Sequence, residues 1–296
     1  MLRRALLAVS LVLLAAACAE ADVGRGAGSS GDRGASGATS RWVDDPDCDE
    51  ATIGDDGDTL VAAFAVRDGT VRGRCAGEAD PRLDAAWDEL IDVVPAERLG
   101  DLVVFGGFDD PDSDVLAFAT MVGDSNDRFA IVVNLALAES EPQELRLTLA
   151  HELSHVFTQT PDQMDVDVDP ASCTTFHNGN GCFLEGSLLL EWIDRFWTED
   201  QLAALPDPTG SGDGTDDAGA DRRCSSDPGF PGVYAASSPE EDLAESFSAF
   251  ALGVDVPPSV QPRVDFFAGR PEFEAFRRAA GAPSGSPGGA FDECGV

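Results

Sequence analysis

Five consecutive residues, His151-Glu152-Leu153-Ser154-His155, hold two of the chain's three histidines. On a helix, positions four apart share a face, so the two imidazoles can grip one metal ion while Glu152 reaches a water bound to it. Two imidazoles beside a carboxylate suit Zn²⁺ and a hydrolytic water, with the carboxylate as general base. In a chain this poor in histidine, an accidental match is on the order of one in a hundred. The competing reading is a surface helix carrying two solvated histidines and a glutamate. Leu145, Leu147, Leu149, Leu153, Val156 and Phe157 oppose it, because they make a helix that must be buried over much of its surface. Ser140 offers that helix a cap, Pro142 its entry, and Gln143 stands three residues after the cap.

One catalytic zinc takes three protein ligands and a water, so a third donor is required. The metzincin arrangement would place a histidine at position 161, where the chain has Pro161, and is excluded. Three candidates remain. Glu245 lies on a segment that Ser238 can cap and Pro239 can open, with Asp242 three positions earlier on the same face and Leu243, Phe247 and Phe250 available to pack inward. A carboxylate on the metal beside another that orients a ligand histidine is a common pairing. The rival reading of that segment is an acidic, solvated helix. Glu185, on a helix expected from Phe183 to Trp197, and His177, between Cys173 and Cys182, are the other two, each with plain surface polarity as its competing reading.

The elements that must position these groups are legible in outline. Thr59 to Val66 and Val71 to Cys75 read as a hairpin across Asp68-Gly69, followed by a helix from Pro81 to Val94. Leu102 to Phe105 is a short apolar strand, and Val115–Val122 with Phe129–Leu135 form a second hairpin directly before the histidine helix, the strand Phe129 to Leu135 offering an edge along which an extended peptide could be bound by main-chain hydrogen bonds. Helices are expected again at 239–252 and 272–279. The fold class that follows is α+β: a small mixed or antiparallel sheet packed on the histidine helix, with further helices toward the C-terminus. The segment 206–223, rich in Gly and Asp, reads as a disordered insertion.

Charge and cysteines set the context. Arginine supplies all 19 basic residues against 55 acidic ones, a formal net charge of −36. Such a balance disfavours nucleic acid and anionic membrane surfaces as partners. Arg3 and Arg4, the apolar run to Leu14 and Ala15-Ala16-Ala17 before Cys18 form a secretory signal of lipoprotein type over residues 1–17. Cys18 would become the lipidated first residue, with residues 18–41 a tether and 42–296 one folded domain; ordinary cleavage and full secretion is the alternative. The expected location is the outer side of a bacterial cell membrane, held only by that lipid, as a monomer. Six further cysteines argue for three disulfides with fifteen possible pairings; proximity favours Cys48–Cys75 and Cys173–Cys182, which leaves Cys224–Cys294 to hold the tail. A thiol-based second zinc site is the rival, though no C-x-x-C pair occurs.

The motif set resembles a known group. HELSH followed by Val-Phe-Thr-Gln-Thr, then Cys-Thr-Thr-Phe, Gly-Cys-Phe and a helix ending in Phe196-Trp197, is similar to exported zinc-dependent metallopeptidases of the gluzincin kind. Tyr234-x4-Pro239-x-Glu-Asp-Leu-Ala-Glu-Ser-Phe247 also resembles the catalytic domain of anthrax lethal factor-like peptidases. The likeness spans roughly Phe129 to Leu252 with gaps. It implies a zincin-like fold, His151, His155 and Glu245 as zinc ligands, Glu152 as base, and Tyr234, the only tyrosine, as stabiliser of the oxyanion. The expected activity is a zinc-dependent endopeptidase acting on protein or peptide substrates. The alternative is a catalytically inactive zinc-binding lipoprotein that serves as a binding or scaffold module.

Overall fold

Asp68 and Gly69 both adopt left-handed backbone conformations, φ 51° and 66°, which suit a two-residue turn between twisted antiparallel strands. Glycine is needed at the second position for a further reason: a Cβ there would sit 2.7 Å from the Ala96 carbonyl oxygen. The turn joins β1 (Ala62–Arg67) to β2 (Thr70–Gly77). These features belong to a computed structural model, which describes residues 41–48, 60–207, 217–280 and 294. Two units are distinguished, Met1–Ala35 and Ser36–Val296, and every described residue falls in the second. The signal segment 1–17 and almost all of the tether lie outside the described residues.

The sheet runs in the order β2-β1-β3-β5-β4. Strand β3 (Leu102–Phe108) is antiparallel to β1 and parallel to β5 (Phe129–Asn134), and β4 (Ala117–Met121) returns antiparallel to β5. Every residue of β5 is buried, as expected for a strand paired on both sides and covered on both faces. One face carries Phe64, Phe105, Ile131 and Val133 against the helices, while Ala63, Val104 and Val132 form a smaller cluster on the other.

Helix α1 (Pro81–Val93) buries Leu83, Ala86, Trp87, Leu90 and Val93, and its Asp80 cap accepts from Arg82 N–H at 2.9 Å. The short α2 (Leu135–Ser140) leads into α3 (Pro142–Thr158), which carries the two histidines. Ser140 does not cap α3. It ends α2, its hydroxyl donating to the Leu137 carbonyl at 2.9 Å, and Glu141 precedes α3 with no side-chain cap. The preceding helical turn has captured the serine locally, the usual competition for a short hydroxyl side chain.

After α3 come a two-stranded ribbon, β6 (Met164–Asp165) with β7 (Cys182–Phe183), then α4 (Leu188–Phe196) and α5 (Glu199–Ala203). Helix α4 starts five residues later than the sequence suggests, because Ser187 caps it through the Leu190 N–H and Phe183 is held in the ribbon. Helix α6 (Asp217–Ser226) overlaps the segment expected to be disordered. Residues 208–216 lie outside the described residues, but 217–223 are helical: Ala220 is buried, and Arg223 is buried and donates to the Ala236 carbonyl at 2.6 Å. Polar composition suggested disorder there, and a buried arginine–carbonyl bond supplies the tertiary anchor that composition does not show.

Helix α7 (Pro239–Leu252) packs lengthwise on α3, where Phe157 and Phe247 meet edge to face at 5.0 Å. Ser238 caps it through the Glu241 N–H, Pro239 occupies its first turn, and Gly253 ends it in the left-handed conformation, φ 66°. The short α8 (Gln261–Val264) and α9 (Pro271–Ala280) close the aromatic cluster around Phe247 with Phe267, Phe273 and Phe276. The disulfides are Cys48–Cys75, Cys173–Cys182 and Cys224–Cys294, the pairing expected from the sequence. Three disulfides suit an exported protein in an oxidising compartment. Among the described residues no helix is long and apolar enough to cross a membrane.

Candidate metal centre

One turn of α3 places His151 and His155 side by side, their Nε2 atoms 3.1 Å apart. Glu241, in the first turn of α7, brings its Oε2 to 3.0 Å from His151 Nε2 and 3.5 Å from His155 Nε2. Among the described residues this is the group of His, Cys, Asp and Glu side chains whose donor atoms converge. Four ligands at about 2.1 Å in a tetrahedron stand roughly 3.4 Å from one another, so the three separations match a zinc donor set. The chemistry of the atoms agrees. Glu241 Oε2 is buried beside both imidazoles, and three donor atoms converging on one point suit a cation.

The structure departs from the expected third donor. Glu245, one turn further along α7, does not join the Nε2 pair; its Oε1 lies 2.8 Å from His151 Nδ1, on the opposite side of the ring. Glu241 and Glu245 are four apart and share the helix face turned to α3, one turn from each other. That spacing was available in the sequence as the signal for Glu241. Asp242, read as part of the same face as Glu245, points away into the core. It is wholly buried and accepts from Trp192 Nε1 and Trp197 Nε1, each at 2.9 Å, and from Arg263 Nε at 3.0 Å. These three donors set the rotation of α7 and so decide which glutamates face the histidines. Burial pushes the Asp242 pKa up to about 6, against the opposing pull of Arg263 and the two indoles.

The other two candidates are elsewhere. His177 forms a bridge to Cys182 within the disulfide loop and accepts from the Gly179 N–H at 3.0 Å. Glu185 sits in the turn before α4. Neither joins the converging cluster.

Glu152 turns off α3 toward the sheet, where its Oε2 accepts from the Ala119 main-chain N–H of β4 at 2.7 Å. The residue is 8 % exposed, and burial raises its carboxyl pKa against the attraction of His151 and His155. Burial works against charge on the two histidines as well, but the neighbouring carboxylates, Glu241 foremost, outweigh it and hold both pKa values above the usual range. The same pair holds the Glu241 carboxyl low despite its burial. Tyr234 stacks on His151 with ring centroids 5.8 Å apart and the planes inclined by 30°. It is 61 % exposed, and desolvation beside Glu241 and Glu152 keeps its phenol protonated above the usual range.

The strand bordering the site is β4, not β5. The sequence suggested that Phe129 to Leu135 was an edge able to bind a peptide, but β5 is paired on both sides and β4 is the outer strand. The Asn134 N–H to Leu116 carbonyl and Val122 N–H to Arg128 carbonyl bonds fix the alternation. Even-numbered residues of β4 pair with β5, so Ala117, Ala119 and Met121 present their main-chain groups to the free edge.

No family model matches the sequence, and no curated protein matches it. Among solved structures, a crystal structure of a "putative zinc-binding metallo-peptidase" from Bacteroides caccae is similar at 15 % identity and a TM-score of 0.28, covering 67 % of this chain and 64 % of that one. A likeness so slight carries no argument, and the chain spans less than two thirds of that structure's length.

Proposed function

We propose that this chain is a zinc-dependent endopeptidase whose metal is held by His151, His155 and Glu241. The observation that carries the reading is the convergence of His151 Nε2, His155 Nε2 and Glu241 Oε2 with the buried carboxylate of Glu152 alongside. A purely structural site would have no use for that carboxylate. A zinc ion in this donor set supplies Lewis acidity, lowering the pKa of a bound water toward about 7 and polarising a carbonyl. Glu152 takes a proton from the water as its oxygen adds to the scissile carbonyl carbon. It then gives that proton to the nitrogen as the C–N bond breaks, leaving a carboxylic acid and an amine. The Tyr234 hydroxyl donates to the carbonyl oxygen as negative charge builds there. Glu245 accepts from His151 Nδ1–H, which fixes the tautomer that leaves Nε2 free as a donor.

The substrate in this reading is an extended peptide, laid as an added strand along the free edge of β4. The arginine-led N-terminal segment and Cys18 support export with a lipid tether, and the acidic surface supports a partner that is neither nucleic acid nor an anionic membrane. The test is cleavage of a peptide library by the purified protein, before and after chelation and after zinc is restored. Cleavage lost with the metal and regained with zinc supports the assignment. A zinc-loaded protein that cleaves nothing refutes it and leaves a binding module.

A further inference from the structure

We infer that the outward N–H of Ala119 is a positioning group for Glu152, so that the edge strand aims the base as well as receiving the substrate. This rests on the peptidase reading above. Ala119 lies in the middle of β4, opposite Ile131 of β5, in a pair that exchanges no ladder hydrogen bonds. Its N–H therefore has no role in holding the sheet. It is spent instead on Glu152 Oε2, at 2.7 Å, a short charge-assisted bond across two elements 33 residues apart in sequence.

A glutamate on a helix has three rotatable side-chain bonds, and a base must hold one oxygen toward the water in a single orientation. Anchoring Oε2 on a rigid strand leaves Oε1 as the proton acceptor. No side chain could take this role as firmly, because the amide is fixed by the sheet itself through the neighbouring pairs Phe118–Val132 and Thr120–Ala130. The bond also shapes substrate binding. A peptide added to β4 can pair with the outward groups of Ala117 and the Met121 N–H, while the Met121 carbonyl also accepts from the Thr120 hydroxyl at 3.4 Å, but it finds the Ala119 N–H already taken. The added ladder is thus interrupted beside Glu152, which places the scissile bond at Ala119.

Two measurements test the inference on the full-length protein. Amide hydrogen exchange, resolved by residue, needs neither metal nor substrate. In Glu152→Ala the Ala119 amide should exchange at least about tenfold faster than in the wild type, with Phe118 and Thr120 unchanged. Equal rates for Ala119 in both proteins would overturn the inference. The second uses Ala119→Pro, which removes this N–H at an edge position where proline costs the sheet no ladder bond. The expected result is bound zinc and KM as in the wild type, with kcat reduced about tenfold or more. An unchanged kcat overturns the inference, and a variant that does not fold leaves the exchange experiment to decide. A wild-type protein without peptidase activity sinks the functional reading instead, an outcome the exchange rates do not depend on.

Discussion

Glu241 and Glu245 make predictions of different size for metal affinity, and the difference follows from which ring nitrogen each one meets. Glu241 contacts the Nε2 pair, at 3.0 and 3.5 Å, so Glu241→Ala removes one of the three proposed ligands. Glu245 meets only His151 Nδ1, at 2.8 Å, so Glu245→Gln keeps all three ligands and weakens the hold on one of them. Loss of such an outer carboxylate costs about 10- to 100-fold in metal affinity. At about 1.4 kcal/mol per tenfold, that is roughly 1.4–2.8 kcal/mol. Loss of Glu241 should cost more than this, because a ligand is gone and two histidines then face the ion alone. Competition with a chromophoric chelator at constant pH measures both. The account requires the order wild type, Glu245→Gln, Glu241→Ala, with the last weakest. A Glu245 variant that loses zinc more completely than the Glu241 variant would refute the assignment and restore Glu245 as the third ligand.

Four other outcomes follow from the same structure. Tyr234→Phe should bind zinc normally and lose about 10- to 100-fold in kcat, toward the low side of an oxyanion donor because the ring is exposed; an unchanged kcat would remove Tyr234 from the mechanism. Asp242→Ala leaves Arg263 buried without its principal partner, a loss of about 3–5 kcal/mol that should lower Tm by roughly 10 °C in a domain of this size, and a fall of only a degree or two would contradict that role. Replacing both Cys224 and Cys294 by Ser opens a 70-residue link and should cost about 4.4 kcal/mol, against about 2.6 for the 9-residue Cys173–Cys182 link, so the order of the two Tm values checks the pairing. Asp80 has its pKa lowered, chiefly by the Arg82 hydrogen bond, so its stabilisation is present above the unfolded carboxyl pKa and fades as pH falls through the lower folded value. Asp80→Ala should therefore cost about 1 kcal/mol at pH 7 and progressively less as pH falls below the ordinary carboxyl range; a deficit that does not shrink with falling pH would show a different cause.

How much of this could be read from the chain depended on the range of the interactions involved. The histidine pair and its glutamate were legible because helix geometry is local: four residues make one turn whatever surrounds them. The 239–252 helix was legible for the same reason, through Ser238, Pro239 and Gly253. Which of its glutamates faces the Nε2 pair was not, because the rotation of α7 is set by Trp192, Trp197 and Arg263 gripping Asp242 from 21 to 50 residues away. The resemblance pointed to Glu245, while the four-residue spacing to Glu241 was the available clue. The sheet edge was misjudged although Phe129 to Val133 is an unbroken apolar run, the mark of a central strand, whereas Ala117–Met121 is more mixed. The Ala119 N–H left no trace in the sequence, since a main-chain donor has no residue type.

The claim beneath all of these is that Glu152 does chemistry beside a metal it does not hold. Glu152→Gln keeps the size and shape of the side chain and removes its basicity. Measured on one preparation, zinc content and the rate of peptide cleavage decide the matter together. The account predicts about one zinc per chain and cleavage reduced by 10²-fold or more, the lower range for a lost general base. Cleavage at the wild-type rate, with that zinc in place, would contradict it.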